Sequence, residues 1–213
     1  MKDVILWGGT GQARVLREAL ASSDFQVVAV FDNQPIPSPF PDVPIYLGQG
    51  GFHSWLASRT GMGQVHACVA IGGNRGSDRL SLLEWLQQQG MQPLTVIHPR
   101  AFVASDAKIG ESAQILAMSA ICSNVTLGCA VIVNTSASID HDCVIGDGVH
   151  VGPGANLAGE VRVDEYAFIG AGAVVLPRLK IGRSAIVGAG AVVIRDVAAN
   201  EVVVGNPATA LRR

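Results

Sequence analysis

The chain has 213 residues, with 15 Lys and Arg against 17 Asp and Glu, so its formal net charge is −2 at pH 7. Because no basic excess is available to neutralise phosphates, a nucleic-acid-binding protein is not expected. No apolar run is long enough for a membrane-spanning helix, and the first apolar run is too short for a signal peptide. The four cysteines form no CxxC pair. We therefore expect a cytoplasmic protein with reduced thiols and no membrane contact.

The first part of the chain alternates between apolar runs typical of strands and segments with a helical period. Strands are predicted over residues 3–7, 25–33, 66–74 and 93–99, helices over 12–23 and 77–90, and a proline-rich loop over 35–44. Ser77 is a predicted N-cap, and Gly90 is predicted to end the second helix. This alternation predicts an α/β domain over residues 1–98 in which helices flank a small parallel sheet.

Glycines follow the first predicted strand in the sequence GGTGQA, and Asp32 lies about 20 residues later, an arrangement that mimics a dinucleotide-binding fingerprint. The full GxGxxG pattern is absent, because Gly9 and Gly11 are not followed by a third glycine at the required place. NAD is therefore not expected as a cofactor. Backbone N–H groups of the loop and of the helix N-terminus can nevertheless hold phosphates.

From Val103 onward an aliphatic residue recurs at every sixth position. Sixteen consecutive positions are Val, Ile or Leu: Val103, Ile109, Ile115, Ile121, Leu127, Val133, Ile139, Ile145, Val151, Leu157, Val163, Ile169, Val175, Ile181, Val187 and Val193. The residue four places after each is small or β-branched except at Leu179, and glycine follows the aliphatic residue in seven hexads. A period of six predicts a β-helix over residues 99–213.

In this fold each hexad forms one flat side of a three-sided prism, so three hexads make one coil and the aliphatic side chains stack along the axis. The hexapeptide pattern resembles the left-handed parallel β-helix of acyltransferases. The handedness comes from that resemblance, since the usual crossover rule favours the opposite hand. A repeat specifies fold more strongly than activity, and a purely structural solenoid is the alternative.

Two histidines, His141 and His150, lie in this repeat outside the inward aliphatic positions, so both side chains can face out of the prism. They are half a coil apart and should lie on opposite sides of one prism. If they serve one active site, they must come from two subunits. A histidine beside a carboxylate is the usual arrangement for a general base, and Asp140 and Asp142 both flank His141. The alternative is a histidine that hydrogen-bonds backbone at a corner.

The chain resembles the PglD/NeuD family of bacterial sugar acetyltransferases over essentially its whole length. The matching segments are WGGTGQARV, VFDN, AIGGNRG, IDHDCVIGDGVHVGPGANLAGEV and VVVGNPATALRR. Members pair a small Rossmann-like, nucleotide-binding domain with a hexapeptide-repeat prism. The resemblance implies acetyl-CoA as the acetyl donor and a nucleotide-linked amino sugar as the acceptor.

The resemblance also implies roles for residues of the repeat. His141 matches the catalytic base, Asp142 matches the residue that orients it, and Asp140 competes for that position. His150 matches the residue that reaches the thioester carbonyl from the neighbouring subunit. Further acetyl-CoA contacts are expected at Gly159, Ala171 and Ala189, spaced by roughly one coil. Transfer would be direct, because Cys143 occupies a small inward position and is predicted to lie in the core.

For the acceptor, the resemblance implies that the N-terminal glycine loop is a binding site for a nucleotide sugar. Its predicted contacts are Thr10, Gly11, Gln12, Asp32, Asn33 and Gly72. The family often has Gly-His where this chain has Gly11-Gln12, so both UDP and GDP are left open.

Three other functions could use the same prism. O-acetylation of sialic acid or a related sugar would need the same scaffold, and a non-catalytic assembly module would need the prism alone. A zinc hydratase would need three converging histidines. The repeat has only two, because His53, His66 and His98 lie upstream, so no metal is expected. A homotrimer with active sites between prisms is expected from the histidine spacing.

Overall fold

The computed structural model describes residues 1–59 and 63–211, so Arg212 and Arg213 at the end of the last quoted motif lie outside the described residues. The chain forms two compact units. The first contains Met1–Ile71 and Ser81–Leu94, and the second contains Gly72–Leu80 and the chain from Thr95 onward. None of the helices in the described ranges has the length and apolar character of a membrane span.

The first unit contains a five-stranded sheet in which every pairing is parallel, as the alternation of strands and helices predicts. Its elements are β1 (Lys2–Trp7), α1 (Gly11–Leu20), β2 (Phe25–Asp32), β3 (Ile45–Leu47), α2 (Gly48–Ala57), β4 (His66–Val69) and β5 (Gln92–Pro93), with strand order β3-β2-β1-β4-β5. Helix α3 (Gly76–Gln88) begins in the second unit and ends in the first. It starts one residue before Ser77, which is therefore not its N-cap.

Aromatic side chains form the core of the first unit. The ring of Trp7 stacks on Phe31 at 5.4 Å between centroids and meets Trp85 edge-on at 5.2 Å. Phe52 and Trp55 of α2 join this cluster. The sequence alone did not predict β3 and α2, because β3 is very short and three glycines in the first turn of α2 weaken its helical signal.

The second unit is a parallel β-helix. Its strands are β6 (Val96–Ile97), β7 (Phe102–Val103), β8 (Lys108–Ile109), β9 (Gln114–Ile115), β10 (Ala120–Ile121), β11 (Thr126–Leu127), β12 (Ile132–Val133), β13 (Ser138–Ile139), β14 (Val144–Ile145), β15 (His150–Val151), β16 (Asn156–Leu157), β17 (Arg162–Val163), β18 (Phe168–Ile169), β19 (Val174–Val175), β20 (Lys180–Ile181), β21 (Ile186–Val187), β22 (Val192–Val193), β23 (Val202–Val204) and β24 (Thr209–Ala210).

Each strand from β6 to β19 pairs with the strand three hexads further on, which confirms that three hexads make one coil. The first face contains β7, β10, β13, β16, β19 and β22; the second face contains β8, β11, β14, β17 and β20; the third face contains β6, β9, β12, β15, β18, β21, β23 and β24. Only the β23–β24 pairing is antiparallel among the described strands.

The repeated aliphatic side chains point to the axis, as predicted. From Ile115 to Val193 they are at most 2% exposed, whereas Val103 and Ile109 near the open end are partly buried. Full burial of one such side chain contributes about 1.5–3 kcal/mol of transfer free energy. The stacked column is therefore the main source of stability in this unit.

The ends of the β-helix differ from the prediction. It begins one hexad earlier, because the predicted strand 93–99 is divided between β5 in the first unit and β6 in the second. At the other end Val197 pairs with Ile181, which lies less than a full coil earlier, so the hexad that starts at Val193 is shortened.

Most corners of the β-helix use a residue in the left-handed region. Such residues recur at each sixth position from 112 to 190, and most are not glycine. The glycines that follow the aliphatic residues serve another purpose. A Cβ on Gly110 would overlap backbone atoms of Gly128 in the next coil, so these positions need glycine for close stacking of the coils.

Candidate active site

His141 lies at the corner between the first and second faces, in the turn that joins β13 to β14. Its Nδ1 is 2.7 Å from Oδ2 of Asp142, and its backbone N–H donates to Oδ1 of Asp140 at 2.7 Å. Adjacent side chains can meet here because Asp142 has a φ of +61°, which interrupts the alternation of a strand. Asp142 therefore contacts the imidazole, while Asp140 holds the backbone.

The partners of Asp142 fix the chemical state of His141. The amide of Asn124 donates to Oδ1 of Asp142 at 2.6 Å, which leaves Oδ2 for the imidazole. Nδ1 then carries the proton, and Nε2, which makes no hydrogen bond to the described residues, keeps its lone pair. The hydrogen bond to Asp142 raises the pKa of His141, and the negative charges of Asp140 and Glu160 add to this effect. The side chain is 53% exposed, so a substrate can reach it.

Gly159 makes room for the His141 ring from the next coil. A Cβ at this position would lie 2.5 Å from Nε2 and 2.6 Å from Cε1 of His141. The two residues are one coil apart, and the N–H of Glu160 donates to the carbonyl of His141 at 2.9 Å. Gly159 was predicted to contact acetyl-CoA, and the structure places it directly against the candidate base.

A cleft of about 460 Å³ adjoins this corner. Its lining residues are Asp142, Glu160, Arg162, Arg178, Leu179 and Lys180. Arg178 pairs with Glu160 at 3.0 Å, and Lys180 pairs with Asp164 at 3.1 Å. The cleft is thus polar and carries both signs of charge, which suits a polar acceptor better than an apolar one.

His150 lies in β15 on the third face and points away from the axis, as predicted, but its side chain is buried at 6% exposure. Nδ1 accepts a hydrogen bond from the N–H of Gly73 at 2.8 Å, and Nε2 is 3.1 Å from the amide of Asn134. Burial lowers the pKa of His150 to about 4, and the charge of Arg79 contributes to this shift. A contact with acetyl-CoA therefore stays a proposal that requires Asn134 to release Nε2.

The two histidines lie on opposite sides of the prism. In a three-sided prism the corner between the first and second faces, which carries His141, is opposite the third face, which carries His150. This agrees with the half-coil spacing. One chain does not bring the two imidazoles together.

Ala171 and Ala189 lie at another corner. Both are exposed, and they stack one coil apart, with the N–H of Gly190 donating to the carbonyl of Ala171 at 2.8 Å. Gly159 precedes Ala171 by two hexads, which is two thirds of a coil. The expected one-coil spacing of all three is therefore wrong, and Gly159 shares a corner with His141 instead.

The predicted nucleotide contacts of the first unit follow the carboxyl ends of two adjacent parallel strands. Thr10 and Gly11 are exposed at the start of α1, and Gln12 is half-buried beside them. Asp32 ends β2, where its Oδ2 accepts from the N–H of Gly9 at 2.7 Å, and Asn33 follows it.

Gly72 belongs to the second unit, so the structure does not place it with those five residues. It is half-buried at the start of the segment whose next residue, Gly73, contacts His150.

No protein-family model matches the chain, and no curated protein does either. Solved structures do match. PerB from Caulobacter crescentus, in complex with CoA and GDP-perosamine, has 33% identity and a TM-score of 0.88, over 100% of this chain and 98% of that one. The acetyltransferase domain of PglB from Neisseria gonorrhoeae, with acetyl coenzyme A, has 31% identity and a TM-score of 0.86, over 99% of both chains.

The chain belongs to the hexapeptide-repeat family of CoA-dependent sugar N-acetyltransferases. WeeI from Acinetobacter baumannii is a further match, with 28% identity and a TM-score of 0.85 over 99% of this chain and 100% of that one. The resemblance inferred from the sequence is thereby confirmed, as is the class of enzyme, an acetyltransferase with acetyl-CoA as its co-substrate. Among residues 1–59 and 63–211, no three His, Cys, Asp or Glu side chains group so as to bind a metal ion.

Four residues near the histidines of this sugar acetyltransferase were not predicted from its sequence: Gly73, Arg79, Asn124 and Asn134. Asn124 could have been found, because it precedes Asp142 by one coil and so stacks directly on it. The burial of Arg79 could not be predicted from the sequence, because an arginine in a helix is usually solvated. Its contacts also lie far along the chain, at Ala130 and beyond.

The buried His150 should make this acetyltransferase less stable in mild acid. In the unfolded chain the imidazole takes up a proton near its ordinary pKa of 6.5, whereas in the folded protein its pKa is about 4. Between these values the unfolded state binds more protons, so stability falls as the pH falls. The loss of unfolding free energy from pH 7 to pH 5 should be about 2 kcal/mol smaller in His150→Asn, measured by urea unfolding.

A control, His53→Asn, removes an exposed histidine and should keep the wild-type loss. Equal losses in wild type and His150→Asn would contradict this assignment.

Proposed function

We propose that the enzyme transfers the acetyl group of acetyl-CoA to the 4-amino group of a nucleotide-linked 4-amino-4,6-dideoxy sugar. The observation that carries the proposal is the His141–Asp142 pair, whose geometry leaves Nε2 as a proton acceptor beside a polar cleft. The related structures support it. PerB binds CoA and GDP-perosamine, and the structures of its H141A and H141N variants contain the same two ligands.

These residues account for the chemistry. The neutral sugar amine attacks the thioester carbonyl, the N–C bond forms, the C–S bond breaks, and the nitrogen loses a proton to Nε2 of His141. Asp142 stabilises the resulting imidazolium through Nδ1 at 2.7 Å. The departing thiolate then takes up that proton. No acyl-enzyme is needed, and Cys143 is buried with its pKa raised to about 11 by burial, so it is a poor nucleophile.

We assign the acceptor's nucleotide to the first unit as a Rossmann-like domain. The strand order β3-β2-β1-β4-β5 is that of a doubly wound sheet, in which ligands bind at the carboxyl ends of the strands. Thr10, Gly11, Gln12, Asp32 and Asn33 follow those ends. The hydrogen bond from the N–H of Gly9 to the carboxylate of Asp32 fixes the conformation of the loop. The first N–H groups of α1 can donate to phosphate. Gly72 is proposed as a sixth contact. The first unit would then serve the acceptor, and the second unit, as a left-handed β-helix, would serve the transfer.

A homotrimer with active sites between prisms would bring His141 of one subunit to the third face of another. Two observations support it. His141 and His150 lie on opposite sides of one prism, so a site that uses both needs two chains. The corner column that contains Asp140 continues two and three coils later in Leu176 and Ile194, which are 40% and 50% exposed. Apolar side chains in an exposed column beside the candidate base suit contact with another copy.

The proposal is tested by following thiol release from acetyl-CoA with a panel of UDP- and GDP-linked 4-amino sugars and with free sialic acid. Turnover is expected with a nucleotide-linked 4-amino sugar. The matched control is the same nucleotide sugar with a 4-hydroxyl group, which should be a much poorer acceptor. Turnover with sialic acid alone would replace the proposal by O-acetylation, and no turnover with any acceptor would contradict it.

A further inference from the structure

Residues 72–80, here called the clasp, lie against the prism within the second unit. The clasp follows β4 and includes the first turn of α3. It contacts the prism at three points, which involve Gly73, Gly76 and Arg79. Each point involves His150 or one of the two residues before it, at the start of β15.

The first point is a close approach of two glycines. A Cβ on Gly76 would overlap the carbonyl oxygen of Gly148, and a Cβ on Gly148 would lie 2.8 Å from the carbonyl oxygen of Gly76. Gly148 is the left-handed corner residue just before β15, with a φ of +64°. Only a residue without a side chain lets the clasp lie this close to the corner.

The second point is Arg79, whose side chain is fully buried. Its guanidinium donates to the carbonyls of Ala130 at 3.2 Å, Gly148 at 2.5 Å and Val149 at 3.4 Å. Ala130 and Gly148 occupy the same corner in successive coils, so Arg79 ties two coils together. Removing a guanidinium from water is costly, and burial lowers the pKa of Arg79 to about 10. The three carbonyl acceptors offset part of this cost and fix where the first turn of α3 lies on the prism.

The third point is the imidazole itself. The N–H of Gly73 donates to Nδ1 of His150 at 2.8 Å, while the ring of Phe168 meets the imidazole edge-on at 5.3 Å from the next coil. The amide of Asn134 lies 3.1 Å from Nε2, so the orientation of the ring depends on Asn134 and on where the clasp places Gly73. That in turn depends on Gly76 and Arg79, which follow Gly73 in the same short segment.

We propose that Arg79 is a positioning residue, which fixes the clasp on the prism so that Gly73 holds the His150 imidazole in the orientation needed to contact acetyl-CoA. The inference rests on the proposed function for the contact between His150 and acetyl-CoA. The hold of Arg79 on the ring is independent of that function. Val149, whose carbonyl Arg79 binds, is the residue next to His150, so the path from the guanidinium to the imidazole is short.

Two variants loosen the clasp in different ways. Arg79→Met keeps the apolar stem and removes the hydrogen bonds to the three carbonyls, whereas Gly76→Ala keeps Arg79 and pushes the clasp off Gly148. The matched control is Arg75→Ala, which removes an exposed arginine of the same segment whose ion pair is with Asp78. Three properties are measured in each variant: the KM for acetyl-CoA, the binding of acetyl-CoA without acceptor by calorimetry, and the imidazole ¹⁵N shifts of His150 at pH 7.

Arg79→Met and Gly76→Ala are expected to raise the KM and Kd for acetyl-CoA by about 10-fold or more, the cost of misplacing a contact group by a fraction of an ångström to an ångström. Both variants should also move the ¹⁵N shifts of His150, and Arg75→Ala should change neither these shifts nor the affinity for acetyl-CoA.

If both variants only lower Tm, with the shifts and acetyl-CoA affinity unchanged, the clasp only stabilises the fold and the proposal is wrong. If Arg79→Met does not fold, Gly76→Ala decides the question. If the wild-type protein fails to bind acetyl-CoA, the proposed function fails, and the ¹⁵N shifts still test the hold of Arg79 on the ring.

Discussion

Replacing His141 by Ala is expected to lower the kcat of acetyl transfer by about 10²–10⁴-fold, the usual contribution of a positioned general base. The reason is that Nε2 of His141 is the proposed proton acceptor, with Nδ1 held by Asp142 at this corner. Because the side chain is half exposed and outside the core, the variant should fold normally. Thiol release under saturating acetyl-CoA and acceptor measures the effect, and circular dichroism checks the fold.

Two further variants test whether His141 acts as the general base or only lies near the site. Asp142→Asn removes the main cause of the raised pKa of His141. Only the neutral imidazole accepts a proton, so activity is lost as the pH falls through this pKa, and the acid limb of the pH–rate profile should move to lower pH in Asp142→Asn. His98→Asn, at the start of the prism, should leave both rate and profile unchanged. A His141→Ala enzyme within a few-fold of wild type would exclude His141 as the base.

Gly159→Ala is expected to cost about 10²-fold in kcat/KM, because its methyl group would lie 2.5 Å from Nε2 of His141 and the ring would have to move by about an ångström. The ring is exposed on its other side and can swing outward, so the loss should appear in activity and not in the free energy of unfolding. Thiol release and urea unfolding on the same preparation distinguish the two.

The matched control for this glycine is Gly154→Ser in the same coil. A Cβ on Gly154 would meet nothing within 4 Å, and the equivalent residue one coil earlier is Ser136, which adopts the same left-handed conformation. This variant should keep nearly full activity. Equal activity in Gly159→Ala and Gly154→Ser would show that the ring does not need the space above it.

The sequence was sufficient to predict the β-helix, because its period of six is written directly in the chain and each inward side chain repeats the same contact. The predicted core from Ile115 to Val193 is buried as expected. The ends were harder, since Ile97 is 46% exposed and precedes a proline-containing turn, and the hexad after Val193 is shortened. Helix α2 was missed for the opposite reason, as its packing on Trp7 and Phe31 outweighs the poor helical propensity of its glycines.

Within the candidate site, local contacts could be predicted and distant ones could not. The choice between Asp140 and Asp142 depended on the left-handed backbone of Asp142, which strand alternation does not reveal. Stacking of residues one coil apart was available from the repeat and would have given Asn124 and Gly159 as neighbours of Asp142 and His141. The clasp could not be predicted, because Gly73 contacts His150, far along the chain and outside any period of the sequence.

The order of strands along each face also governs local motion. A solenoid whose coils touch only their neighbours opens from its ends, one coil at a time. The strand before His141, β13, has two strands on one side and three on the other within its face, and β15, which carries His150, lies deeper still. Fraying of one coil at either end of the solenoid therefore does not reach β13 or β15. The backbone at His141 and His150 opens only after at least two coils have separated from the nearer end, so it is locally more stable than either end even though His141 itself is exposed to solvent.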